Sequence, residues 1–396
     1  MNQISKKVLQ NAIENIISYE PKVTTDQIFK ETFECLLNIE RDQFLGYQRG
    51  ERSQKEIENK RNGYYSRIIK NLQGVLSIRV PRDRKGEFVP QTLELLKKSE
   101  EDLKYLGYQL YAKGMSTRDI KDVFTEVFEA EYSPQSISNM VNGFEIYRKE
   151  WQQRKLSSDY YFIYVDAIYT KIRRETVASE AIYVVIGLKM DLSREVLGIY
   201  SIPQESHAGW EEVFRDLKSR GLERFIMCIA DGLSNMETAL QKVYPKALLQ
   251  KCVVHKIRRI LLKVRREHKN EIADDLRKVF DVDNPENTVE EGKKRSDEFV
   301  EKWRKKYPQI HRYFDEETLE YYFQFTKFPV GIRRLLYSTN WIERLNKHLR
   351  KVEKNKNSFP NEESALKLLY MAVIQFEEKV YNFKVTSFLS SKDYLD

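Results

Sequence analysis

The sequence is poor in cysteine and has no long apolar run. Its 396 residues include three cysteines, Cys35, Cys228 and Cys252, which lie far apart along the chain. This number and spacing exclude the disulfide framework of small secreted proteins and favour a reducing compartment. No apolar run approaches the ~20 residues of a membrane-spanning helix, and the first residues lack the apolar core of a signal peptide. We therefore expect a cytoplasmic protein with no membrane partner.

Acidic residues are outnumbered by basic ones. The sequence has 60 Asp and Glu against 68 Lys and Arg, a formal net charge of +8. The excess is concentrated: residues 251–269 hold eight Lys and Arg with one acid, and residues 344–356 hold six with one acid. A run of charge is commonly a solvated helix face. Two such clusters nevertheless favour a polyanionic partner over a small-molecule substrate.

Three helices with a tight turn are predicted between residues 93 and 150. The first lies around residues 101–113 and stops at Gly114, and Ser116 or Thr117 caps the second. Pro134 stands at the first position of the third. This order is typical of a helix-turn-helix module, although generic three-helix packing gives the same pattern. On DNA, the exposed face of the third helix would present Gln135, Ser136 and Asn139.

Two apolar runs typical of buried strands are each followed by an aspartate. The stretch from Tyr160 ends at Asp166, and the stretch from Glu223 ends at Asp231, where Gly232 allows the backbone to turn. A carboxylate at the end of a buried strand is costly unless a cation or a hydrogen-bond donor meets it. Either acid alone is best explained as solvated, but the pair favours a divalent metal site.

The order of elements between residues 158 and 260 predicts a mixed α/β fold of the ribonuclease-H-like type. The pattern has three strands, a helix, a strand, a helix and a short strand. The predicted elements are strands ending at 166, at 181–188 and at 196–202, a helix at 209–220, a strand ending at 231, a helix at 233–243 and a strand at 247–251. In that fold the first and fourth strands are neighbours, which would bring Asp166 and Asp231 together.

Four stretches in this order resemble the motifs of the Mutator-like family of bacterial insertion-sequence DDE transposases. They are Tyr164–Ala167, Ala230–Leu233, Cys252–Arg258 and Ser338–Asn346, and the upstream stretches Arg61–Tyr65 and Tyr111–Arg118 also resemble that family. The resemblance covers most of the chain, roughly residues 60–375. One departure is Ser338-Thr-Asn340, where the family usually has Thr-Thr-Asn, and it retains a hydroxyl.

The resemblance implies a third acid, Glu343, which with Asp166 and Asp231 would hold two Mg²⁺ or Mn²⁺ ions. Carboxylate oxygens suit these hard cations. Glu353 and Glu362 also lie in predicted helices nearby, so either is an alternative to Glu343. The gap between Asp231 and Glu343 is too long for a plain connection. Family members carry an all-helical insertion here, in agreement with helical patterns at 266–280 and 286–307.

The remaining site residues are expected around these acids. The family places the pair formed by Cys252 and His255 beside the active site; a zinc site is not expected, because the other cysteines lie elsewhere in the sequence. We expect His255 to contact a DNA phosphate or to orient a group of the site, with Cys252 packed beneath it, although a purely structural histidine is an equal alternative. The other residues expected to contact DNA are Arg118, Arg258, Arg259, Lys263, Asn340, Arg344, Lys347, Arg350 and Lys351.

The chain is too long for one ordinary core, and the patterns divide it into six segments. Amphipathic helices are predicted at 3–19 and 24–46, followed by a polar linker at 47–62. The segments are an N-terminal helical part for dimerisation or DNA binding (1–60), a basic β-hairpin region (61–92), the helix-turn-helix-like domain (93–150), the first part of the catalytic core (151–264), the helical insertion (265–336) and the second part of the core (337–396).

The resemblance implies a homodimeric, nucleoid-associated transposase that binds terminal inverted repeats of double-stranded DNA and acts on target DNA. It would nick the element's ends by metal-dependent hydrolysis and join the 3′-hydroxyl to another strand by transesterification, in a copy-out, paste-in pathway. Two alternatives stay open: a ribonuclease-H-like structure-specific nuclease, and a catalytically silent DNA-binding regulator derived from a transposase.

Overall fold

The computed structural model describes nine stretches of the chain. These are residues 24–48, 50, 59–72, 74–173, 177–202, 206–232, 235–356, 358–381 and 383–395. The predicted helix at 3–19 and most of the predicted linker at 47–62 lie outside them. The chain divides into two compact units, one ending at Phe144 and the other beginning at Glu145.

The first unit packs helices against a β-hairpin. Its elements are α1 (Thr25–Leu45), β1 (Arg61–Asn71), β2 (Gly74–Asp83), α2 (Gln91–Ala112), α3 (Thr117–Phe128) and α4 (Pro134–Asn142). A capping box between Thr24 and Gln27 starts α1. Leu37 of α1 is buried with Ile69 of β1 and Ile78 of β2, which are antiparallel.

The predicted three-helix pattern corresponds to α2, α3 and α4. Ser116 caps α3 in a capping box with Asp119, and Ser133 caps α4 with Pro134 at the first turn. Helix α2 begins at Gln91, about ten residues earlier than predicted. The side chain of Glu40 accepts the Thr92 N–H at 3.1 Å, so a distant acid satisfies one of the free amides of its first turn.

The second unit is built on a mixed five-stranded sheet. Its first elements are α5 (Glu145–Gln153), β3 (Asp159–Arg173), β4 (Val177–Lys189), β5 (Arg194–Ser201), α6 (His207–Ser219), β6 (Arg224–Ala230), α7 (Met236–Val243), β7 (Leu248–Lys251) and α8 (Val253–Leu262). The strand order is β5-β4-β3-β6-β7. The pairs β3–β4 and β4–β5 are antiparallel, whereas β3–β6 and β6–β7 are parallel.

Strand β3 is longer than predicted. The apolar pattern predicts that it ends at Asp166, but it continues to Arg173, so this prediction is wrong. Pairing with β6 does stop there, at Val165 opposite Ala230, while pairing with β4 continues to Val177. The extension alternates buried and exposed side chains, a pattern typical of a strand covered on one face.

Helices cover both faces of the sheet. On one face, Trp210 and Phe214 of α6 and Leu240 of α7 pack with Ile163 and Val165 of β3. On the other face lie α13 (Asn340–Lys354) and α14 (Glu362–Val380), and the chain ends with α15 (Lys392–Leu395). Among the helices of the described residues, none combines the length and the apolarity needed to cross a membrane.

Residues 265–336, all of them described, fold into helices and short 3-10 turns. The helices are α9 (Lys269–Phe280), α10 (Val289–Trp303), α11 (Glu316–Leu319) and α12 (Val330–Leu336). The two patterns predicted at 266–280 and 286–307 correspond to α9 and α10. Phe280 of α9 stacks on Phe323 at 5.3 Å between ring centroids, and both rings are buried.

We expect Gly292→Ala to destabilise the helices of residues 265–336. A Cβ at Gly292 would lie 2.4 Å from the ring of Phe323, and this ring cannot move freely because it is buried against Phe280. In an open helix the same change would stabilise by roughly 0.5–1 kcal/mol, whereas overpacking costs about 1–3 kcal/mol. Thermal unfolding should therefore show a lower Tm. Lys294→Ala, at an exposed position of the same helix, is the control; a higher Tm for Gly292→Ala would contradict this packing.

Candidate active site

Three acids that are distant in the sequence line one cavity. The cavity has a volume of about 310 Å³ and is lined by Asp166, Asp231 and Glu343. Asp166 lies on β3, Asp231 follows the last residue of β6, and Glu343 lies in the first turn of α13. Glu362, an alternative for the third acid, lines a different cavity. The other lining residues are Ala167, Tyr169, Gly232, His255, Arg258, Arg259 and Arg350.

Backbone hydrogen bonds bring these elements together. Strands β3 and β6 are parallel, and Val165 lies opposite Ala230. The residue after each of these two is an aspartate, so the pairing brings Asp166 and Asp231 close together. The Cys252 N–H donates to the Ala230 carbonyl at 2.7 Å, so the start of α8 is held at the end of β6. The Val253 N–H in turn donates to the Tyr337 carbonyl at 2.9 Å, just before α13. The cavity therefore lies where the middle of β3, the end of β6, helix α8 and helix α13 meet.

Asp166 is the most deeply buried of the three acids. Its residue surface is 7% exposed. Asn346 Nδ2 donates to Asp166 Oδ2 at 2.8 Å, and the Ala167 N–H donates to Oδ1 at 2.9 Å. Burial raises the pKa of Asp166 to about 6, although both hydrogen bonds and the charge of His255 oppose that rise. Its carboxylate form is thus costly without a further cation.

Cationic side chains neutralise the other two acids. Arg258 Nη1 lies 2.5 Å from Glu343 Oε1, and Arg259 Nη2 lies 3.3 Å from Asp231 Oδ2. The hydrogen bond with Glu343 raises the pKa of Arg258. Both arginines are about half exposed, so solvent screens these pairs and each contributes little to stability. They can be exchanged for other ligands at low cost.

His255 lies between Asp231 and Glu343. Its Nδ1 is 3.6 Å from Asp231 Oδ1 and its Nε2 is 4.0 Å from Glu343 Oε1. A hydrogen bond with Cys252 raises the pKa of His255 to about 9, with help from the charges of Asp231 and Asp166 and against partial burial. The imidazole is therefore protonated at neutral pH. The Thr339 hydroxyl lies 3.4 Å from its Nδ1 and 3.6 Å from the buried Cys252 sulfur.

Helix α8 presents the two arginines because its opposite face is buried. Val253, Lys256 and Ile260 are buried at helical spacing. Lys256 is an unusual member of this set, since its ammonium lies 3.7 Å from the centroid of the Tyr322 ring. Burial lowers the pKa of Lys256 to about 7. The rings of Tyr322 and Phe314 therefore contact the buried ammonium, and the charge of Asp315 also favours its charged form.

The residues expected to contact DNA fall into three sets. His255, Arg258, Arg259 and Arg350 line the cavity with the acids. A second set is exposed but does not line the cavity; it contains Lys263, Asn340, Arg344, Lys347 and Lys351. The third set is exposed in the first unit and contains Arg118, Gln135, Ser136 and Asn139. Gln135 Nε2 donates to Asn139 Oδ1 at 3.0 Å, so both side chains lie on one side of α4.

Two residues of the site were not predicted. Asn346 holds Asp166, and its own Oδ1 is buried with no hydrogen-bond partner among the described residues. Two signals in the sequence could have found it: Asn346 is the last residue of the motif Ser338–Asn346, and its position three residues after Glu343 places both on one side of α13. Tyr169 lines the cavity and is 62% exposed. The sequence does not identify Tyr169 as a site residue, because the predicted strand ends at Asp166, before this position.

The donor set of the cavity suits a hard divalent cation. Three carboxylates offer six oxygen atoms, which Mg²⁺ and Mn²⁺ prefer to nitrogen or sulfur. In this conformation the carboxylates are paired with Arg258, Arg259, His255 and Asn346, and within the described stretches no group of three or more His, Cys, Asp and Glu is arranged to hold a metal. Metal binding would therefore require the arginines to leave the acids.

Comparison with known proteins identifies the family. The model of the Mutator family of transposases matches residues 2–384. The chain belongs to the Mutator family of transposases. It is 36% identical to the transposase of insertion sequence IS1201 from Lactobacillus helveticus, over 83% of this chain and 88% of that protein.

Other insertion-sequence transposases are similar over even more of the chain. The transposase of IS905 from Lactococcus lactis subsp. lactis is 30% identical, over 92% of this chain and 91% of that protein. The transposase of IS256 in transposon Tn4001 from Staphylococcus aureus is 29% identical, over 96% of this chain and 97% of that protein. The predicted family is confirmed, and a Mutator-family transposase is a DNA-processing enzyme.

We expect Asp166→Asn to stabilise the fold at neutral pH. The folded-state pKa of Asp166 is raised from 3.8 to about 6, so ionisation favours the unfolded state, and stability falls as pH rises from about 4 to 6. The cost is fully present above pH 6. Removing the charge should raise the Tm at pH 7.5 in chelator by roughly 2–4 °C, for a gain on the order of 1 kcal/mol.

The control is Glu353→Gln, which removes a negative charge from the same helix as Glu343 without touching the cavity. Its Tm should be nearly unchanged. The difference between Asp166→Asn and wild type should shrink at pH 4.5, where the wild-type carboxyl takes up a proton. A gain that does not depend on pH would show that burial of Asp166 is not its cause.

Proposed function

We propose that the protein is a DDE transposase in which Asp166, Asp231 and Glu343 form the metal-binding acids. The observation that carries this proposal is that these acids come from three separate elements and line one cavity. A structural role would not need three carboxylates in one place, because like charges repel and burial of Asp166 is costly. A site that binds cations gives all three a reason to be there.

The topology supports a ribonuclease-H-like core. Numbered from its own first strand, the sheet has the order 3-2-1-4-5 with the second strand antiparallel to the first. The first and fourth strands of this order are neighbours, as the sequence pattern predicts for that fold. The helices of residues 265–336 then form the insertion between the second and third acids.

The residues of the chain would hold the ions and orient the DNA. Asp166, Asp231 and Glu343 supply oxygen ligands, and Asn346 fixes the rotamer of Asp166. When bound, a pair of Mg²⁺ or Mn²⁺ ions supplies charge that activates the attacking oxygen and stabilises the leaving one. Arg258 and Arg259, once released from Glu343 and Asp231, can turn to the DNA phosphates.

Two reactions at phosphorus follow from this arrangement. In the first, a water oxygen bonds to the scissile phosphorus, the bond to the 3′-oxygen breaks, and that oxygen takes up a proton. In the second, the new 3′-hydroxyl bonds to a phosphorus of another strand and displaces its ester oxygen. The joining step forms one P–O bond for each that it breaks, so neither a nucleotide cofactor nor a covalent protein intermediate is needed.

Basic side chains outside the cavity would bind the duplex. The exposed residues Arg344, Lys347 and Lys351 share α13 with Glu343, and each phosphate that they neutralise increases the dependence of affinity on salt. The helices α3 and α4 of the first unit would contact the terminal inverted repeats. We expect a homodimer that pairs two ends of the element, as in the family that the sequence resembles.

We expect Asp231→Asn and Glu343→Gln each to abolish nicking and joining while DNA binding is retained. The assay uses Mg²⁺ and a duplex that carries the element's terminal inverted repeat. Loss of an oxygen ligand should lower both rates by ~10³-fold or more, since several kcal/mol of transition-state stabilisation are removed. Binding, measured by fluorescence anisotropy, should remain within about twofold of wild type.

Glu353→Gln is the matched control and should keep both activities. Full activity of Glu343→Gln would move the role of third acid to a neighbour. A duplex that is already cut and ends in a 3′-hydroxyl separates the transposase from a nuclease, because a nuclease yields no joined product. A protein that binds the repeat but neither nicks nor joins would be the DNA-binding regulator.

A further inference from the structure

Strands β3 and β4 continue as a two-stranded ribbon past the rest of the sheet. On one side, the pairing of β3 with β6 ends at Val165. On the other side, the pairing of β4 with β5 begins at Ile182. The ribbon consists of residues 167–173 of β3 and 177–183 of β4. It begins directly after Asp166 and has only these two strands from Tyr169 and Ala181 onward, since Ile182 and Tyr183 still pair with β5.

One face of the ribbon is closed. Ile168, Thr170 and Ile172 are fully buried. The outer edge of β3 is also held, because the Arg173 N–H donates to the Phe359 carbonyl and the Phe359 N–H donates to the Lys171 carbonyl, both at 2.8 Å. The ribbon is thus fixed in place, and its buried face cannot bind a partner.

The opposite face is open and carries an aromatic ring followed by two cations. Tyr169, Lys171 and Arg173 are all exposed. The residues directly across on β4 are small: Ala181 lies opposite Tyr169, and Ser179 lies opposite Lys171. Cross-strand neighbours share a face of the sheet, so among the described residues these small side chains leave room beside Tyr169 and Lys171.

This face starts at the cavity, although it is opposite to the face of β3 on which Asp166 and the buried side chains lie. Tyr169 lines the cavity together with Asp166, Asp231 and Glu343. At about 3.3 Å per residue, Lys171 lies roughly 7 Å and Arg173 roughly 13 Å farther along the strand. A chain of phosphates that leaves the cavity in this direction would meet both positive charges.

The ring distinguishes between single-stranded and paired DNA. Tyrosine is common on exposed strands, and a solvated strand face would account for Lys171 and Arg173 alone. The ring of Tyr169 adds a different property, because it is 62% exposed at the mouth of a cavity formed mainly by charged side chains and is therefore accessible to a base. A base inside a duplex is already stacked on both sides, whereas an unpaired base gains from stacking on an aromatic side chain.

We propose that Tyr169, Lys171 and Arg173 form a platform for the unpaired DNA strand that adjoins the scissile bond. The base next to that bond stacks on Tyr169, and the next phosphates lie on Lys171 and Arg173. This inference rests on the proposed function, since the scissile phosphate must lie at the three acids. It adds that the protein binds a DNA end whose base pairs next to the scissile bond are open.

Binding without divalent metal tests the platform. The probes are duplexes of the terminal inverted repeat, either fully paired or mismatched at the two base pairs beside the scissile bond, measured by fluorescence anisotropy in chelator. Wild type should bind the mismatched duplex roughly 5- to 150-fold more tightly, the range of a single stacking contact. Tyr169→Ala should lose this preference, and Tyr169→Phe should keep it because the ring remains.

Lys171 and Arg173 should increase the affinity for DNA without determining the preference for the mismatched duplex. The double variant Lys171→Gln, Arg173→Gln should weaken binding to the mismatched duplex and reduce the salt slope by about 1.4, or 0.7 for each single-strand phosphate contact. The controls are Tyr147→Ala, whose ring is also 62% exposed, and the double variant Lys294→Gln, Lys305→Gln at exposed positions of the second unit. Neither should change the preference or the slope.

The outcomes separate this proposal from the proposed function. Wild type without any preference, or Tyr169→Ala with the wild-type preference, would overturn the platform whether or not the protein cuts DNA. Conversely, a protein that prefers the mismatched duplex but neither nicks nor joins DNA would support the platform and contradict the proposed transposase activity. A fluorescent adenine analogue at the base next to the scissile bond gives a second readout, because its emission should be quenched by wild type and Tyr169→Phe but not by Tyr169→Ala.

Discussion

The burial of the Asp166 carboxylate is the constraint on which the rest of the second unit depends. A carboxylate that is 7% exposed beside the centre of a sheet cannot stay ionised without donors or cations close by. The structure supplies Asn346 as a direct donor and His255, Arg258 and Arg259 as cations around the same cavity. The positive side chains therefore balance the negative charge of the acids in this conformation.

The same constraint explains why the chain returns to the sheet after the long helical stretch. Asn346 can reach Asp166 only if α13 lies against β3, and two hydrogen bonds fix the segment that leads into this helix. The Tyr164 hydroxyl donates to the Leu335 carbonyl at 3.2 Å, and the Val253 N–H donates to the Tyr337 carbonyl. Residues 265–336 separate the second acid from the third in sequence. Their end is nevertheless fixed beside the sheet, so that α13 begins next to the site.

Local sequence predicted the strands and the two aspartates, but not the contacts that complete the site. Apolar runs and Gly232 are local signals, and they located Asp231 correctly after its strand. The length of β3 depends on its partner β4 and on Phe359, which no pattern within β3 reveals. Asn346 bonds to a residue 180 positions away. Helical periodicity could not choose Glu343 over Glu353 or Glu362, since that choice depends on which turn of which helix lies beside the two aspartates.

The buried charge of Asp166 lowers the stability of the fold, and packing of the surrounding apolar side chains offsets this cost. Asp166 lies in the strand pair with the longest run of paired residues in the second unit, and its neighbours Tyr164, Val165 and Ile168 are fully buried. Because β3 is held on one edge by β4 and on the other by β6 and then Phe359, the carboxylate cannot relieve its burial by moving outward. Only a change of partner can relieve it. Under the proposed function, the cost of this buried charge would favour binding of a divalent cation, and the half-exposed Arg258 and Arg259 could leave the acids to allow it.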